Sequence, residues 1–295
     1  MSNELTILQH NGVVFNVEER FRLEMALQSL QNESKETDFE ELLFWGRING
    51  AEGNYYIAVG ISYKGSYEFP KKTFFWCSEK NDFVFEKMPL INEHWRAEVN
   101  KRSAKPFKGT PSVVLKKGKK PDVIKEEKSK SDEPRDELDS TEEEDPDAML
   151  EIPDLTELAR LTWHVSAIDF DCSVVPQGTL KLTVAHEVER DEKFNGLNLE
   201  DVFNLENYSH FRVVQAKEKR ELLDADEAIF SSKFLDDLAA DNPKECWSIL
   251  KVGSDTALIR NNIWRGFTAY AKASTTRNGC CYVGNGMRNT SLAFL

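Results

Sequence analysis

The residues of this chain that could act as metal ligands or nucleophiles are scattered along it. No two cysteines show the CxxC spacing, and no two histidines show the HxxxH or HxxEH type of spacing, that brings ligands to one metal ion. The number of cysteines is odd, and the adjacent Cys280 and Cys281 are poorly placed to bridge one another on a strand. The sequence therefore predicts no metal site, and its cysteine usage favours a reducing, intracellular compartment.

Cys280 is the thiol for which a catalytic role can be framed. With a distant histidine it is a candidate nucleophile and base, but the oxyanion loop and the local signatures of cysteine enzymes are missing from the sequence. A free cysteine usually packs like a small apolar residue. We therefore interpret Cys280 as a buried strand residue and keep a cysteine-dependent enzyme as an alternative hypothesis, which a deep pocket converging on this thiol would favour.

Two glycines near the C-terminal end match the start of the dinucleotide-binding fingerprint GxGxxG. They are Gly284 and Gly286, but Asn289 occupies the position of the third glycine and no helical pattern follows. We interpret this segment as a hairpin turn. The sequence therefore predicts no cofactor-binding residues.

Carboxylates are plentiful, and two closely spaced pairs could serve as general acid and base. Asp169 with Asp171 lies at a predicted helix end or turn, and Asp236 with Asp237 lies on a predicted helix next to its polar face, so ordinary solvation explains both pairs. The lysine-containing loop that binds transferable phosphates is also missing from the sequence. The residues thus indicate no catalytic site, and the chain is predicted not to be an enzyme.

The negative charge of the chain is concentrated in one segment. The 295 residues carry a formal charge of −13, and residues 126–147 contain twelve acidic and three basic residues. Binding to nucleic acid needs clustered lysine and arginine, and no apolar run approaches the roughly 20 residues of a membrane span. We predict neither nucleic-acid nor membrane partners, and no secretion signal is visible.

Residues 103–148 differ in composition from the rest of the chain. They are rich in proline and in charge, basic first and acidic second, with few large apolar residues after Leu115. Such a segment cannot bury enough apolar surface to offset the entropy lost on ordering it. We predict one long, disordered, charged insertion, whose acidic stretch 126–147 is either unseen or extended, and interpret it as a solvated loop or as a tether or electrostatic docking arm.

Helical and strand periodicities describe the elements that must position the remaining residues. An amphipathic helix is predicted over residues 17–31, with an apolar face formed by Phe21, Met25, Leu27 and Leu30.

Strands are predicted at residues 44–48, 54–63 and 73–77, where apolar residues alternate with a period of two. The Asn-Gly and Gly-Asn pairs within residues 49–54 suit the tight reversal between the first two strands.

The C-terminal half mixes both patterns. Helices are predicted over residues 153–169, 198–207 and 231–241, and a strand over residues 179–188. Four short apolar or aromatic runs within residues 245–286 predict further strands.

Helices mixed with adjacent strands, without regular βαβ alternation, predict an α+β fold. We expect a mostly antiparallel sheet with several short flanking helices. The chain is long enough and apolar enough for a substantial core. We predict a single domain over residues 1–295, interrupted by the flexible insertion at 103–148.

Short blocks spread over the chain resemble a known family. LFWGRING at 43–50, followed by NYYIAVG at 54–60, resembles the signature FWGxIxG…YYxAxG of the radial spoke head protein family of motile cilia. Further blocks occur in the order expected of the radial spoke head protein 9 family, which is paralogous to radial spoke head proteins 4 and 6. They are GLNL at 196–199, YSHFR at 208–212, WSI at 247–249, IWRG at 263–266 and YVGNG at 282–286.

The resemblance covers residues 17–95 and 150–295, and it implies a structural role. It implies a non-catalytic subunit of the radial spoke head, in the axoneme of motile cilia or flagella, that helps transmit central-pair signals to the dynein arms. The implied partners are radial spoke head proteins 4 and 6, other spoke subunits and the central pair apparatus, with no small-molecule substrate. A soluble cytosolic adaptor or assembly factor that shares the domain is the alternative.

Aromatic and glycine residues of these blocks are the candidate functional residues. Aromatic anchors are favoured at protein interfaces because they bury much area for few rotatable bonds. Aromatics flanked by strand alternation usually pack inward, which favours the core for each one alone. The candidate interface or core residues are Phe44, Trp45, Gly46, Tyr55, Tyr56, Trp247, Trp264, Tyr282, Gly284 and Gly286.

Overall fold

The computed structural model describes Gln9, Ile229 and residues 12–33, 39–63, 69–118, 152–223 and 231–292. The strands within these residues are β1 (Glu41–Ile48), β2 (Tyr55–Ser62), β3 (Lys71–Ser78), β4 (Glu86–Lys87), β5 (Val114–Lys116), β6 (Leu155–Thr156), β7 (Val174–Pro176), β8 (Leu180–Leu182), β9 (Val188–Arg190), β10 (Tyr208–His210), β11 (Trp247–Val252), β12 (Thr256–Asn261), β13 (Phe267–Lys272) and β14 (Asn278–Gly284). The α-helices are α1 (Val17–Glu33), α2 (Arg96–Lys101), α3 (Glu157–Cys172) and α4 (Lys217–Leu223).

Eight of the strands form one sheet, in the order β11-β12-β13-β14-β1-β2-β3-β4. Neighbouring strands are antiparallel except for β1 and β14, which run parallel over the pairs Gly46 to Tyr282 and Ile48 to Gly284. Three two-stranded ladders, β5-β6, β7-β10 and β8-β9, lie outside this sheet. The α+β class with a mostly antiparallel sheet is therefore confirmed.

Both faces of the sheet are covered. On one face α3 contributes Leu161 and Val165 to the largest core cluster. On the other face, Leu23 and Leu30 of α1 lie in two smaller clusters. Because both faces are covered, every residue of β2 is buried, and its period-two pattern sorts side chains between two cores.

The helix predicted over residues 17–31 is present, but its predicted apolar face is wrong in part. Leu23 and Leu30 are the buried residues of α1, whereas Phe21 and Met25 are more than half exposed. The helix carries two apolar stripes, and only one of them can face the sheet because successive residues turn by about 100°.

Several other predictions need correction. The helix predicted over 198–207 is two short 3-10 turns, and over 231–241 the helical part is the 3-10 turn Leu238–Ala240. The strand predicted over 179–188 is interrupted by a turn after Leu182. In all of these segments, packing against the large core prevails over local propensity.

The first part of the predicted insertion is ordered against the rest of the molecule. Within residues 103–118, Phe107 is fully buried in the main core and β5 pairs with β6. One aromatic side chain and a short ladder thus anchor a segment whose average composition is polar. Residues 119–148, with the acidic stretch 126–147, lie outside the described residues.

The described residues hold no helix of the length and hydropathy that a bilayer span requires. Across the same parts of the chain, no three histidine, cysteine or acidic side chains are grouped closely enough to share a metal ion.

Candidate functional site: the aromatic signature and its buried polar partners

Tyr55 and Tyr56 begin β2 and point to opposite faces of the sheet, and both are fully buried. The Tyr55 hydroxyl donates to Glu157 Oε1 of α3 at 2.7 Å, and the Tyr56 hydroxyl donates to Glu19 Oε1 of α1 at 2.5 Å. Burial and the neighbouring carboxylate raise the pKa of each tyrosine, so each stays protonated and donates. The double tyrosine therefore ties one strand to the helix on each side of it.

Glu157 also holds a loop. Its side chain is almost completely buried, and its two oxygens accept the backbone N–H groups of Lys108, Gly109 and Thr110 at 3.1, 2.8 and 3.1 Å. With Tyr55 this gives four donors to one carboxylate, enough to compensate its removal from water. Glu157 thus joins α3, β2 and the loop that precedes β5.

Glu19 has a similar role on the other face. Besides Tyr56, its carboxylate accepts from Arg47 Nη1 at 3.0 Å and from the backbone N–H of Asn16 at 3.1 Å. The Tyr56 hydroxyl also lies 3.1 Å from Glu79 Oε1. This network fixes the first turn of α1 against β1 and β2.

Trp45 links the FWG block to α3. Its indole Nε1 donates to Asp169 Oδ1 at 3.2 Å, and its ring lies 5.6 Å from that of Tyr282. The preceding Phe44 belongs to the opposite face, where its ring packs edge-on against Phe15 at 5.9 Å. The two aromatics of the FWG block thus serve different cores.

Gly46 permits the close approach of β1 and β14. Its φ is +151°, and a Cβ there would lie 2.0 Å from the backbone carbonyl oxygen of Tyr282. The β1–β2 register shifts between Phe44 and Gly46, which marks a bulge at this point. Any side chain larger than hydrogen would separate the two strands.

The hairpin predicted at Gly284 and Gly286 is wrong. β14 ends at Gly284 and no strand follows within residues 285–292. Instead, the N–H of Gly286 donates to the Tyr282 hydroxyl at 3.0 Å, and a Cβ on Gly286 would lie 2.7 Å from the Phe107 ring. The second glycine folds the chain over the core.

The two C-terminal tryptophans repeat the same kind of contact. Trp264 Nε1 donates to Asp171 Oδ2 at 2.7 Å. Trp247 Nε1 donates to Asp241 Oδ2 at 2.8 Å, and the same oxygen lies 2.8 Å from His210 Nε2. Three tryptophan indoles, counting Trp45, therefore each donate to an aspartate.

The aspartates interpreted as solvated are thus engaged in the interior. Asp169 and Asp236 are less than a tenth exposed. Asp236 accepts hydrogen bonds from the backbone N–H groups of Gln215 and Ala216 at 2.8 and 3.0 Å. Asp169 accepts hydrogen bonds from the indole N–H of Trp45 and from an ammonium group. The solvation interpretation is wrong for these two residues because tertiary contacts supply the polar partners.

The ammonium group belongs to Lys72. Its Nζ donates to Asp169 Oδ2 at 2.6 Å, to Ser173 Oγ at 3.1 Å and to the carbonyl oxygen of Phe211 at 2.8 Å. These three bonds use all three ammonium hydrogens. Lys72 thus bridges β3, the end of α3 and the segment after β10, and retains no hydrogen for a ligand.

A cavity of about 220 Å³ adjoins this centre, and Cys280 lies in its wall. Cys280 is half-buried, so the expectation of a buried residue is met only in part, and burial followed by the charge of Asp169 raises the pKa of its thiol to about 11. An activated nucleophile needs a lowered thiol pKa. The surroundings of Cys280 therefore act against thiolate formation.

His164 lies deep in the same core. Its ring packs edge-on against Phe107 at 5.3 Å, and the guanidinium of Arg160 lies 4.3 Å from the centre of that phenyl ring. Burial, and then the charge of Arg160, lower the pKa of His164 to about 4. The imidazole is therefore neutral over the physiological range.

Nine of the ten candidate residues are buried. The buried residues are Phe44, Trp45, Gly46, Tyr55, Tyr56, Trp247, Trp264, Tyr282 and Gly286. Gly284 is half-buried. The structure also brings in Glu157, Lys72 and Glu19, which sequence reasoning missed. The residues next to these three in the sequence form no motif that distinguishes them from the many charged residues at the surface.

The fold and these buried contacts define an α+β fold whose central sheet is braced from both sides. The chain belongs to the radial spokehead-like protein family, whose model matches residues 1–207. The resemblance carried by the FWG and YY blocks is thereby confirmed.

Curated relatives extend the match beyond that range. A radial spoke head protein 9 homolog of Danio rerio is 28% identical over 99% of this chain and 96% of its own length. Homologs with the same name from Mus musculus and Homo sapiens are 29% and 28% identical over 91% of this chain and 90% of their own. The similarity therefore includes the C-terminal strands that complete the sheet.

Proposed function

We propose that this chain is a non-catalytic structural subunit of the radial spoke head, in the axoneme of motile cilia or flagella. The observation that carries the proposal is the near full-length match to radial spoke head protein 9 homologs. The geometry agrees with it, because the tyrosines, tryptophans and buried carboxylates of the signature blocks are used to brace the sheet.

The proposed mechanism is mechanical. A subunit that passes a force or displacement between neighbours must deform little. A sheet covered on both faces, with polar ties from β2 to a helix on each side, meets this need since close-packed interiors have low compressibility. We propose that the chain helps to transmit central-pair signals to the dynein arms and so contributes to the control of waveform.

The proposed partners are radial spoke head proteins 4 and 6, other spoke subunits and the central pair apparatus. Residues 1–295 are proposed to form one domain, in support of which β1 and β14 pair directly. The candidate aromatic and glycine residues are proposed to be internal braces, and partner contacts are assigned to other surfaces.

Axoneme fractionation tests this proposal. The tagged full-length chain is expressed in ciliated cells from which the native gene has been deleted. We expect the chain to cofractionate with demembranated axonemes, to be lost together with spoke heads on high-salt extraction, and to restore waveform. Recovery of the entire pool in the soluble matrix, with normal spokes in the deletion strain, would contradict it.

Cross-linking within intact axonemes separates the proposal from an adaptor or assembly factor. A resident subunit gives cross-links to other spoke-head chains in mature axonemes. An assembly factor gives them in the cell body and is missing from the washed axoneme.

A further inference from the structure

Helix α1 presents an apolar stripe to solvent. Val17, Phe21 and Met25 follow one another at intervals of four residues and are 83%, 62% and 51% exposed. Val14 before the helix and Val84 beside it are also exposed. Single exposed apolar residues are ordinary, but a contiguous group of them marks an interaction site.

The stripe borders a groove. The space between α1 and residues 82–85 has a volume of about 500 Å³. Ala26, Leu30 and Phe83 lie along the groove. Leu30 and Phe83 are buried against the face of the sheet that α1 covers. The groove therefore has an apolar floor and an apolar edge.

The groove also has a rigid base. α1 is held by the contact of Glu19 with Tyr56 and Arg47, and by Leu23, which is fully buried. A preformed groove of this kind binds without first paying for the ordering of its own walls.

The charges along the groove have one predominant sign. Arg22, Glu33 and Asp82 are the charged residues that line it within the described part of the chain. Arg22 is already paired with Glu18 at 2.8 Å. The rim therefore offers two carboxylates and no uncompensated cation from these lining residues.

We propose that this groove, lined by α1 and residues 82–85, docks an amphipathic α-helix of another protein. Apolar residues of that helix, spaced three or four positions apart, contact Phe21 and Met25. Its flanking lysine or arginine residues face Glu33 and Asp82. The stripe from Val17 to Met25 rises about 12 Å along α1, which matches two turns of a partner helix.

Charge decides between this occupant and others. A second copy docked through the same groove would bring its own acidic rim to this place, and an anionic membrane surface would meet the same carboxylates. Both arrangements place like charges together. A basic amphipathic helix complements the groove in both hydrophobicity and charge.

The inference deepens the proposed function and rests on it for the source of the partner, which is another subunit of the spoke. Photo-cross-linking tests it directly. The full-length chain carrying p-benzoylphenylalanine at position 25 is mixed with salt-extracted axonemal proteins and irradiated, and the cross-linked peptide is sequenced. A matched chain carries the same group at position 31, on the side of α1 away from the groove.

We expect position 25, and not position 31, to cross-link to a peptide of another chain with helical apolar spacing and flanking basic residues. We also expect Phe21→Glu and Glu33→Lys each to reduce that yield at least about tenfold, whereas Gln31→Glu leaves it unchanged. Equal thermal unfolding of these variants confirms that the surface changes leave the fold intact.

The inference is overturned by cross-links to a second copy, to a segment of this chain or to an acidic peptide, by equal yields at both positions, or by no cross-link at position 25. Axoneme incorporation of the unsubstituted chain is scored in parallel. If the unsubstituted chain incorporates but position 25 gives no such cross-link, the groove inference fails and the proposed function stands. If the chain stays out of axonemes, the proposed function itself fails.

Discussion

Gly46 lies directly against the backbone of Tyr282, so that a Cβ on Gly46 would come within 2.0 Å of the Tyr282 carbonyl oxygen. This contact joins the FWG block to the YVGNG block, which are more than two hundred residues apart in the sequence. The parallel pairing of β1 with β14 depends on it, because these two residues face each other in the register.

Gly46→Ala is therefore expected to destabilise the protein by roughly 3 kcal/mol, from overpacking against backbone and from a φ that alanine rarely adopts. Chemical denaturation measures the change. Gly53→Ala, in the turn between β1 and β2, is the matched control, since its Cβ would meet neighbours at 3.6 Å and its φ lies outside the left-handed region. Equal effects of the two substitutions would contradict the close-approach account.

The buried carboxylate of Glu157 gives a second prediction. Glu157→Gln places an amide N–H₂ among four donors, so we expect it to lower the free energy of unfolding by about 3 kcal/mol. Tyr55→Phe removes only one donor and should lower it by about 1 to 2 kcal/mol. Hydrogen exchange of the Gly109 and Thr110 amides should accelerate in the Glu157 variant. Glu18→Gln, on the exposed side of α1, should change stability by less than about 0.5 kcal/mol.

Lys72 and Asp169 form a buried ion pair, and removing one partner strands the other. Lys72→Met is expected to destabilise the protein by about 3 to 5 kcal/mol because the Asp169 carboxylate keeps its burial and loses its cation. Adding Asp169→Asn should recover part of that loss, since a neutral amide can still accept from Trp45. A double variant less stable than Lys72→Met would show that the pair does not act in this way.

His164 predicts a pH dependence of stability. Its pKa falls from 6.5 to about 4 on folding, so between these values the unfolded chain binds a proton that the folded chain does not. The free energy of unfolding should therefore decrease as pH falls from 7 to 5, by about 1 to 3 kcal/mol from this residue.

The corresponding measurement compares the unsubstituted chain with His164→Leu in urea titrations at pH 7, 6 and 5. The variant has a different baseline stability, but its decline across this pH interval should be smaller by the amount attributed to His164. Parallel pH curves for the two chains would contradict the assignment.

Cys280 is expected to react slowly with alkylating reagents. With a pKa of about 11, its thiolate fraction near neutral pH is small, and alkylation by iodoacetamide should be at least about 100-fold slower than for an unburied cysteine. Mass spectrometry of the Cys280 peptide gives the rate. Labelling as fast as that of free cysteine would reopen the hypothesis of a reactive thiol.

The sequence predicted those parts of the fold that depend on local periodicity. The strand over Tyr55–Ser62, the four C-terminal strands and the α1 segment are confirmed because alternation and helical spacing extend over whole elements. The prediction failed where one residue outweighs its surroundings. Phe107, by burying its ring, anchors a segment of polar composition together with the β5–β6 ladder, and an average over composition does not detect this.

The buried hydrogen bonds and ion pairs could not be predicted from the local sequence, for a different reason. Glu157 and Tyr55 are 102 residues apart, and Lys72 and Asp169 are 97 apart. Each carboxylate resembles many solvated ones in its own neighbourhood. Only the tertiary arrangement shows that α3 brings these groups under the strands, whereas the order of the signature blocks already pointed to the family.

The parallel contact between β1 and β14 has a consequence for synthesis of the chain. A nascent polypeptide leaves the ribosome with β1, β2 and β3 long before β14, so the edge of β1 that pairs with β14 stays open until β14 has been synthesised. An open strand edge is a template for pairing with other chains. Premature termination upstream of residue 278 therefore yields a product with a permanently exposed edge, prone to aggregation and suited to removal by chaperones and proteases.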